Sequence, residues 1–369
     1  MTVGVVGAGQ LGRMLALAGY PLGLDFLFLD AGSQTPGGQL APSLSGELGD
    51  PRLLAELARR SEVLTFDWEN VSVPALRAAT RGTGTTVAPP LRALATAQDR
   101  LQEKRCFERL GIATTRYAAV TGRASLLRAI RDIGLPGVLK TRRMGYDGKG
   151  QYVLRTAADL DAAWQALGGK PLLYEEFVDY DLEVSAIGVR GRRGEVALYP
   201  LSRNYHHEGI LRLTLAPWPA PRLARQSEAA LRRLLEDFRY VGVLTVEFFV
   251  HRGRLIANEM APRVHNSGHW TIEGAVASQF ENHLRAIAGW PLGSTAARGH
   301  AAMINFIGAV PQAASLLGEA DLHLHNYGKD PRPGRKVGHC TVLADSAVVR
   351  DRRARALMKR VYPHLAGIP

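Results

Sequence analysis

Short apolar runs alternate with helical or loop stretches over the first ninety residues of the chain. Three of these runs are typical of β-strands: VGVVG at residues 3–7, DFLFLD at 25–30 and EVLTF at 62–66. Strands that alternate with helices favour βαβ units, which build a parallel sheet. After the prolines of APPLR at 88–92, a helical pattern predicts one helix from residue 93 to Gly111, where the glycine ends it.

The pattern changes twice further along the chain. A second α/β unit is predicted over roughly residues 112–180, with strands near 137–140, 150–154 and 171–177. From residue 183 the strands become long, with one helix between them at 226–238. These long strands are EVSAIGVRG at 183–191, EVALYPLS at 195–202, GILRLTLAP at 209–217, GVLTVEFFV at 242–250 and RLIANEMAPR at 254–263. Residues 300–369 predict short strands and a terminal helix, so the fold class is α/β with α+β character in the C-terminal part.

Composition narrows the class of protein only slightly. The chain has 369 residues, 46% hydrophobic and 22% charged, which is typical of a globular protein with room for two or three domains. The sequence contains no run of eighteen apolar residues, so no membrane span is predicted. The first residues predict a strand and lack the pattern of a signal segment. Two cysteines, Cys106 and Cys340, cannot build a disulfide framework, which favours a cytoplasmic location.

The net charge of +12 raises nucleic-acid binding as one alternative. The basic residues are scattered, however, and the densest clusters, RGRR at 190–193 and RDRRAR at 350–355, are typical of solvated turns or helix faces. No basic platform rich in aromatic residues occurs, which argues against RNA or DNA as a partner. A positive field equally suits an enzyme of phosphorylated substrates.

The first candidate for chemistry is the glycine motif at the N-terminus. Gly7, Gly9 and Gly12 form a G-x-G-x-x-G between a predicted strand and a predicted helix, and Asp30 follows about eighteen residues later. This arrangement is the fingerprint of a dinucleotide-binding turn, so an NAD-dependent oxidoreductase is a second alternative.

A glycine-rich loop, KTRRMGYDGKGQ, follows the strand that ends at Lys140. Lys140 would present a fixed positive charge, and the glycines at 145, 148 and 150 allow backbone N–H groups to turn towards a polyanion and the segment to open and close. A plain β-hairpin with a glycine turn would share this pattern.

The strands at 242–250 and 254–263 predict a hairpin that turns near Arg252 and Gly253. This hairpin places Glu247 and Glu259 opposite each other or one position apart. Two such carboxylates repel unless a cation lies between them, and with Asn258 they offer oxygen ligands suited to Mg²⁺. Two solvent-facing glutamates are the simpler alternative, but TVEFFV is too apolar for a solvated strand.

Two polar loops complete the candidates. APRVHNSGHWT at 261–271 brings together Arg263, His265, Asn266, Ser267 and His269, a set suited to bicarbonate or carboxyphosphate. Zinc binding by the two histidines is a weaker alternative because no cysteine or carboxylate stands at ligand spacing. PGRKVGH at 333–339 adds Arg335, Lys336 and His339 on a second predicted turn.

Together these motifs resemble the ATP-grasp superfamily. Within it the chain resembles the N5-carboxyaminoimidazole ribonucleotide synthetase family, through motifs that stand in one order along nearly the whole chain: GQLGRMLALAGYPLG, AQDRLQEK, GYDGKGQ, NYHHEGIL, NEMAPRVHNSGHWT and RPGRKVGH. The resemblance implies an ATP-grasp fold with an N-terminal Rossmann-like parallel-sheet domain at residues 1–98, a small lid subdomain at 99–180 and a large subdomain at 181–369.

The reaction implied by the resemblance is an ATP-dependent carboxylation. ATP phosphorylates bicarbonate, and the carboxyphosphate delivers its carboxyl group to the amine of 5-aminoimidazole ribonucleotide. The implied cofactors are ATP and Mg²⁺, and the implied assembly is a homodimer. An ATP-grasp ligase with another acyl group or acceptor remains the near alternative.

The resemblance also assigns site residues. Those implied for ATP are Arg100, Lys140, Gly145, Tyr146, Asp147, Gly148, Lys149, Gly150, Gln151, Glu175, Glu176, Phe177, Val178, Glu183, His206, Asn258 and Glu259. Glu247 and Glu259 are implied for the metal, and Arg263, His265 and Lys336 for catalysis. The ribonucleotide is assigned to Gly9, Gln10, Leu11, Glu69, Asn266, Ser267, Arg335 and Lys336.

This assignment gives the glycine turn a different role from NAD binding. Its N–H groups would then meet an anion or polar group of the ribonucleotide, and Asp30 would be an ordinary strand-end residue or a minor contact. Three small departures from the family pattern occur. Ala8 replaces a common glycine, Met144 stands where the lid usually has another glycine, and Asp67-Trp68 replaces a common Glu-Phe.

Overall fold

The structure is a computed structural model that describes residues 1–32, 34–145 and 148–365. Within these residues the chain forms three β-sheets, of five, four and nine strands.

The strands are β1 Thr2–Val6, β2 Asp25–Asp30, β3 Ser43–Ser45, β4 Val63–Phe66, β5 Thr86–Val87, β6 Tyr117–Val120, β7 Gly137–Thr141, β8 Gln151–Leu154, β9 Leu172–Glu176, β10 Leu182–Arg190, β11 Val196–Leu198, β12 Ser202–His207, β13 Ile210–Ala216, β14 Gly242–His251, β15 Arg254–Ala261, β16 His300–Ile307, β17 Leu322–Asn326 and β18 Lys336–Ala344. The helices are α1 Gln10–Gly19, α2 Pro51–Arg59, α3 Val73–Ala79, α4 Leu91–Ala97, α5 Arg100–Arg109, α6 Arg123–Ile133, α7 Leu160–Leu167, α8 Pro221–Asp237, α9 Thr271–Gly274, α10 Gln279–Ala288, α11 Ala313–Leu316 and α12 Ala347–Val361. Short 3₁₀ helices lie at Tyr20–Leu22, Ala157–Asp159 and Asn266–Gly268.

The N-terminal sheet is parallel, with strand order β3-β2-β1-β4-β5, which confirms the predicted parallel arrangement. Its three central strands are the three apolar runs that the sequence predicts as strands. They are continuously apolar because both faces of such a sheet are covered, so that each strand is buried. The two edge strands, β3 and β5, have three and two residues and carry no apolar run that could predict them.

The single helix predicted from residue 93 to Gly111 is wrong. Two helices occupy this stretch, α4 and α5, and they are separated at Gln98 and Asp99. The Asp99 carboxylate accepts a hydrogen bond from the Leu101 N–H at 3.1 Å, so this residue caps a new helix. The cap places Arg100 at the first position of α5, facing the site described below.

The four-stranded sheet is antiparallel, with order β6-β9-β7-β8. The three strands predicted here are present, and β6 joins them. The loop between β7 and β8 contains Met144, whose φ of 63° lies in the left-handed region. Glycine adopts this conformation without a steric penalty, which gives a physical reason for the glycine usual in the family at this position.

The nine-stranded sheet has the order β15-β14-β10-β12-β13-β16-β18-β17, with β11 beside β10. Two sequence expectations are corrected here. Residues 195–202 do not form one long strand, since β11 covers only Val196–Leu198 and a separate strand, β12, begins at Ser202. The segment around 333–339 is not a turn throughout, because β18 begins at Lys336 and runs for nine residues.

The N-terminal and nine-stranded sheets share one core. Val3 and Leu15 belong to the same buried cluster as Phe280 and Leu284 of α10. We propose domain boundaries at residues 1–98, 99–180 and 181–369, supported by the single sheet that each range contains. In the described part of the chain, no helix is both long enough and apolar enough to cross a bilayer.

Candidate active site

Two adjoining cavities lie among the three sheets. The smaller has a volume of about 380 Å³ and the larger about 800 Å³. Five residues line both cavities and therefore mark their junction: Arg100, Glu259, His265, Asn266 and Lys336. All five were predicted as site residues from the sequence.

The β14–β15 hairpin carries the two predicted metal ligands to this junction. Arg252 and Gly253 form the turn with φ of 48° and 71°, and Glu247 pairs directly with Glu259. The register shifts beside Glu247, because Phe248 pairs with Ala257 and leaves Asn258 as the extra residue of a β-bulge. The bulge lets consecutive residues, Asn258 and Glu259, both line the smaller cavity.

The electrostatics of the hairpin fit a divalent cation. Burial, together with the charges of Glu259 and Glu183, raises the pKa of Glu247 to about 7 against the opposing charges of His206 and Lys336. The Asn258 Oδ1 atom is buried and accepts no hydrogen bond from the described residues. Mg²⁺ commonly takes one or two carboxylates and completes its shell with water and phosphate oxygens, so these residues fit it. Among the described residues, no group of three or more His, Cys, Asp or Glu side chains could hold a metal by itself.

A buried network of charges lies on the other side of the smaller cavity. The Glu175 carboxylate lies between Lys140 at 3.1 Å and Lys104 at 3.2 Å. Burial opposes ionisation of Glu175, but the charges of Lys104, Lys140 and Arg100 lower its pKa to about 2. Burial, partly offset by Glu175, lowers the pKa of Lys140. The Lys140 side chain thus reaches the cavity with its position fixed by Glu175.

Most other residues predicted for ATP line the smaller cavity: Arg100, Gly148, Gln151, Glu176, Phe177, Val178, Glu183, His206, Asn258 and Glu259. Glu183 and His206 are hydrogen-bonded to each other. Gly145 and Lys149 line the larger cavity instead, and Gly150 lines neither. Tyr146 and Asp147 lie outside the described residues.

The larger cavity holds most of the residues predicted for the ribonucleotide: Gly9, Gln10, Leu11, Glu69, Asn266, Arg335 and Lys336. Arg263 also lines this cavity and forms an ion pair with Glu69, which joins the loop after β15 to the loop after β4. Asn266 exchanges two amide hydrogen bonds with Asn305 of β16, at 2.9 and 2.8 Å. Ser267 is fully buried and lies behind His265, outside the cavity lining.

Two N–H groups of the glycine turn, those of Ala8 and Gly12, bond carboxylates of the chain itself and are therefore not available to an anion. The Asp30 carboxylate accepts the Ala8 N–H at 2.7 Å, and the Asp67 carboxylate accepts the Gly12 N–H at 3.2 Å. Asp30 is thus a structural acceptor for the turn. An added Cβ at Gly7 or Gly9 would lie 2.0 or 2.7 Å from the Asp67 oxygens, so these glycines make room for a carboxylate of the chain itself. A pyrophosphate in the dinucleotide position would meet two negative charges.

His265 is held in one orientation at the junction. Its Nδ1 atom accepts the Ser267 N–H at 3.3 Å and lies 2.8 Å from the Ser267 hydroxyl. Burial, with the charges of Arg263 and Lys336, holds the pKa of His265 well below its ordinary value. The ring is therefore neutral, and because Nδ1 accepts, the ring proton resides on Nε2.

His269 and His339 do not reach either cavity. Both are fully buried, with ring centroids 5.0 Å apart, and His339 stacks on His325 at 4.3 Å. Successive side chains of β18 point to opposite faces of the sheet, and that of His339 points into the core. The predicted turn at this position would have left His339 near the surface. Burial holds the pKa values of His269 and His339 well below the ordinary range.

Sequence reasoning missed several residues of the site. Asp67 and Glu103 line the larger cavity, and the Lys329 ammonium donates a hydrogen bond to the side-chain amide oxygen of Gln10. Burial raises the pKa of Asp67 to about 6 and, together with Glu259, that of Glu103 to about 8. The sequence could have predicted that Glu103 lies near the site, because it stands three residues after Arg100 on a helix. Lys329 belongs to a distant loop, and no sequence pattern places it there.

Three sequence-family models match the chain. They are described as "Ribonucleotide synthetase preATP-grasp domain" at residues 1–98, "ATP-grasp domain" at 105–280 and "Phosphoribosylaminoimidazole carboxylase C-terminal domain" at 301–353. A curated relative, N5-carboxyaminoimidazole ribonucleotide synthase of Pseudomonas aeruginosa, is 51% identical over 96% of this chain and 98% of its own.

Solved structures agree with these matches. N5-carboxyaminoimidazole ribonucleotide synthetase from Thermus thermophilus superposes with a TM-score of 0.93 at 48% identity, over 99% of this chain and all of its own. N5-carboxyaminoimidazole synthase from Aspergillus clavatus, solved with ADP and 5-aminoimidazole ribonucleotide, superposes with a TM-score of 0.90 at 28% identity, over 98% of each chain.

The three sheets and the two joined cavities define an ATP-grasp enzyme, a ligase that uses ATP to form a C–N bond. Within that class, the chain belongs to the N5-carboxyaminoimidazole ribonucleotide synthase family.

Proposed function

We propose that the chain carries out the reaction of its family at the junction of the two cavities. In this reaction ATP, bicarbonate and 5-aminoimidazole ribonucleotide give N5-carboxyaminoimidazole ribonucleotide, ADP and phosphate, in purine biosynthesis. The observation that carries the proposal is the shared lining, because the cavity lined by the residues predicted for ATP and a second, larger cavity meet at five polar residues.

ATP occupies the smaller cavity in this proposal. Bicarbonate is a weak electrophile, so one of its oxygens first attacks the γ-phosphorus, ADP leaves, and carboxyphosphate forms. Phosphoryl transfer depends on positioning and charge neutralisation more than on covalent help from the protein. Lys140 and Arg100 supply positive charge at this end of the cavity, and Glu175 fixes the orientation of Lys140.

Glu247 and Glu259 would hold Mg²⁺, with the Asn258 amide oxygen beside them. When bound, the metal supplies charge neutralisation for the transferring phosphoryl group.

The ribonucleotide occupies the larger cavity, with its amine directed to the junction. The amine nitrogen attacks the carboxyl carbon of carboxyphosphate, phosphate leaves, and the nitrogen loses one proton, for which the departing phosphate is the base that the reaction itself provides. Neutral His265 donates from Nε2 to the carboxyl oxygens, and Arg263 and Lys336 add positive charge beside it. Water must be excluded because carboxyphosphate hydrolyses readily, and the loop between β7 and β8 is the segment suited to close the site.

Two further features of the proposal do not come from the geometry of the site. The homodimeric assembly comes from the family resemblance alone, whereas the cytoplasmic location is drawn from the two cysteines of the sequence.

The test is the dependence of ADP release on each substrate. With the ribonucleotide present, ADP release is expected to require bicarbonate, and ¹³C-labelled bicarbonate is expected to transfer its carbon to the product. An ATP-grasp ligase with another acyl group would instead release ADP with formate, and turnover with formate but not bicarbonate would overturn the proposal. A binding titration with NAD serves as the control for the alternative read from the glycine motif, and no saturable binding is expected.

A further inference from the structure

Helix α5 contacts the backbone on both sides of Glu259. The predicted binding of ATP by Arg100 does not explain these contacts. Arg100, Glu103 and Lys104 stand at positions i, i+3 and i+4 and therefore share one side of this helix. Glu103 and Lys104 are 2% and 1% exposed, which is unusual for charged side chains and requires specific partners.

The partners are three consecutive residues of β15. The Lys104 ammonium donates to the Asn258 carbonyl oxygen at 2.9 Å, and the Glu103 carboxylate accepts the Met260 N–H at 2.7 Å. Between them, the Arg100 guanidinium pairs with the Glu259 carboxylate at 3.2 Å. The backbone before Glu259, its side chain and the backbone after it are thus all held by one turn of α5.

The bulge explains why this stretch needs outside support. A β-bulge disrupts the ladder and leaves the extra residue unpaired, so the backbone near Asn258 depends on partners outside the sheet. Ala113 and Thr114 support Ala257 with two hydrogen bonds of 2.7 Å, and Lys104 adds a donor to the Ala257 carbonyl oxygen at 3.2 Å. At the extra residue itself, Asn258, the carbonyl oxygen accepts from Lys104.

Lys104 also connects this strand to the four-stranded sheet. Its ammonium lies 3.2 Å from Glu175 of β9, and Glu175 lies 3.1 Å from Lys140 of β7. The chain Asn258–Lys104–Glu175–Lys140 therefore runs from the carboxylate hairpin to the predicted phosphate-binding lysine through buried groups.

We propose that Lys104 and Glu103 are positioning residues, which hold Glu259 at the metal site and fix its separation from Lys140 through the backbone of β15 and the Glu175 carboxylate. This inference rests on the proposed function, because it takes Glu259 as a ligand of Mg²⁺. It extends that function by assigning the geometry of the metal site to two residues that do not themselves bind the metal.

The test compares ADP binding with and without Mg²⁺ by calorimetric titration, so that the contribution of the metal is measured apart from turnover. K104M removes the donor while keeping the length of the side chain, and E103L removes the acceptor. In both variants the Mg²⁺-dependent tightening of ADP is expected to fall by about 10-fold or more, whereas metal-free ADP binding changes by less than about 3-fold. E103Q keeps an acceptor oxygen for the Met260 N–H and is expected to retain the tightening within about 3-fold.

The matched control is R350M. Arg350 is another buried cation, 1% exposed, and it lines neither cavity. Its guanidinium donates to the Pro217 carbonyl oxygen at 3.1 Å. R350M is expected to lower the melting temperature while leaving the Mg²⁺-dependent tightening of ADP unchanged. A general loss of stability in K104M would therefore be recognised by comparison with R350M.

The outcomes separate the inference from the proposed function. If Mg²⁺ does not tighten ADP binding to the wild-type chain, the metal assignment itself is wrong. If it does, and both K104M and E103L retain the full tightening, the positioning role is refuted while the proposed function stands. If K104M does not fold, E103L against E103Q decides the question.

Discussion

At the scale of single residues, the two carboxylates of the β14–β15 hairpin present an unusual balance of charge. Glu247 and Glu259 face each other directly, and burial raises the pKa of Glu247 to about 7. Facing like charges destabilise a strand pair by a few tenths to about 1 kcal/mol. The arrangement is therefore unfavourable for the chain alone and becomes favourable when a cation lies between the two groups.

This balance predicts opposite effects of Glu247→Gln on stability and on activity. Without metal, the variant is expected to be as stable as the wild type or more stable by up to about 1 kcal/mol, because one of two repelling charges is removed. Turnover is expected to fall by about 100-fold or more, since the proposed metal site loses one of its two carboxylates. Thermal unfolding in a chelator and the ADP-release assay measure the two quantities.

Glu259→Gln is expected to keep the fold and to lose Mg²⁺-dependent turnover in the same way. Glu228→Gln, on the exposed side of α8, is the control and is expected to change neither quantity. Undiminished turnover in the Glu259 or the Glu247 variant would contradict the metal assignment.

Asp67 offers a second prediction at this scale. Its carboxylate fills the space beside Gly7 and Gly9 and accepts the Gly12 N–H, so it fixes the turn from which Gln10 reaches the larger cavity. Asp67→Asn removes the negative charge and one of the two acceptor oxygens beside the Gly12 N–H. We expect the KM for the ribonucleotide to rise by about 10-fold, corresponding to about 1.4 kcal/mol, while the KM for ATP stays within about 2-fold.

Steady-state kinetics with each substrate varied in turn measure this split. Asp25→Asn provides the control, because Asp25 is an exposed residue at the beginning of β2, away from the turn. Equal changes in both KM values would show that Asp67 acts on the whole site, and an unchanged KM for the ribonucleotide would refute its role in the turn.

At the scale of elements, the sequence predicted the helices and strands that a local pattern of apolar and polar residues defines. The three central strands of the N-terminal sheet are long apolar runs, and the hairpin follows from two such runs around Arg252 and Gly253. The division of residues 93–111 into two helices could not be read from periodicity, because it depends on one capping carboxylate, Asp99. This residue also receives Arg142 in a two-point ion pair, a contact between distant segments.

The same distinction applies to the site. Glu247, Glu259, Lys140 and His265 lie in local motifs, and the structure brings all four to the two cavities. The roles of Asp30 and Asp67 beneath the glycine turn depend instead on three strands that meet in the sheet. Likewise, the burial of His339 follows from the pairing of β18 between β16 and β17, which its own residues do not reveal.

The loop between β7 and β8 yields a prediction at the scale of elements. Gly150 has a φ of 73°, its carbonyl oxygen accepts the Thr141 N–H at 2.8 Å, and an added Cβ would lie 2.6 Å from the Thr141 hydroxyl. Gly150→Ala must therefore shift the base of the loop. We expect kcat to fall by about 10-fold and the ratio of ADP formed to carboxylated product to rise above one, as carboxyphosphate is lost to water.

Gly82→Ala is the matched control for this loop. Gly82 has a φ of 75° and open space around its Cα, so the substitution carries a similar backbone cost of about 1 kcal/mol without touching the site. Its kcat and product ratio are expected to equal those of the wild type. A Gly150 variant that behaves like the Gly82 variant would show that the loop does not close the site.

At the scale of the whole molecule, the N-terminal and nine-stranded sheets are joined through a buried histidine on α10. The Nδ1 atom of His283 accepts the Val243 N–H at 3.2 Å, so the ring proton lies on Nε2, which donates to the Thr65 hydroxyl at 2.9 Å. One neutral imidazole thus connects β4 of the first sheet to β14 of the last. Burial lowers the pKa of His283 to about 3.

This depressed pKa makes the joint sensitive to acid. Above the ordinary histidine pKa of about 6.5 the group is neutral in both the folded and the unfolded chain, so its protonation does not affect stability. As the pH falls below that value, the unfolded chain binds the proton first, and the free energy of unfolding decreases until the folded pKa is reached. We expect His283 alone to remove about 2 kcal/mol between pH 7.5 and pH 5.

Chemical denaturation of the wild type and of His283→Gln gives the free energy of unfolding of each protein across this pH range. The effect of His283 is the difference between the two slopes of this free energy against pH, in which the contributions of the other titrating groups cancel. The variant is expected to be less stable at pH 7.5, because it loses two buried hydrogen bonds, and to lose about 2 kcal/mol less than the wild type on going to pH 5. His323→Gln, at an exposed position of β17, is expected to follow the wild-type slope. Parallel slopes for the wild type and the His283 variant would show that the joint between the two sheets does not depend on a neutral imidazole.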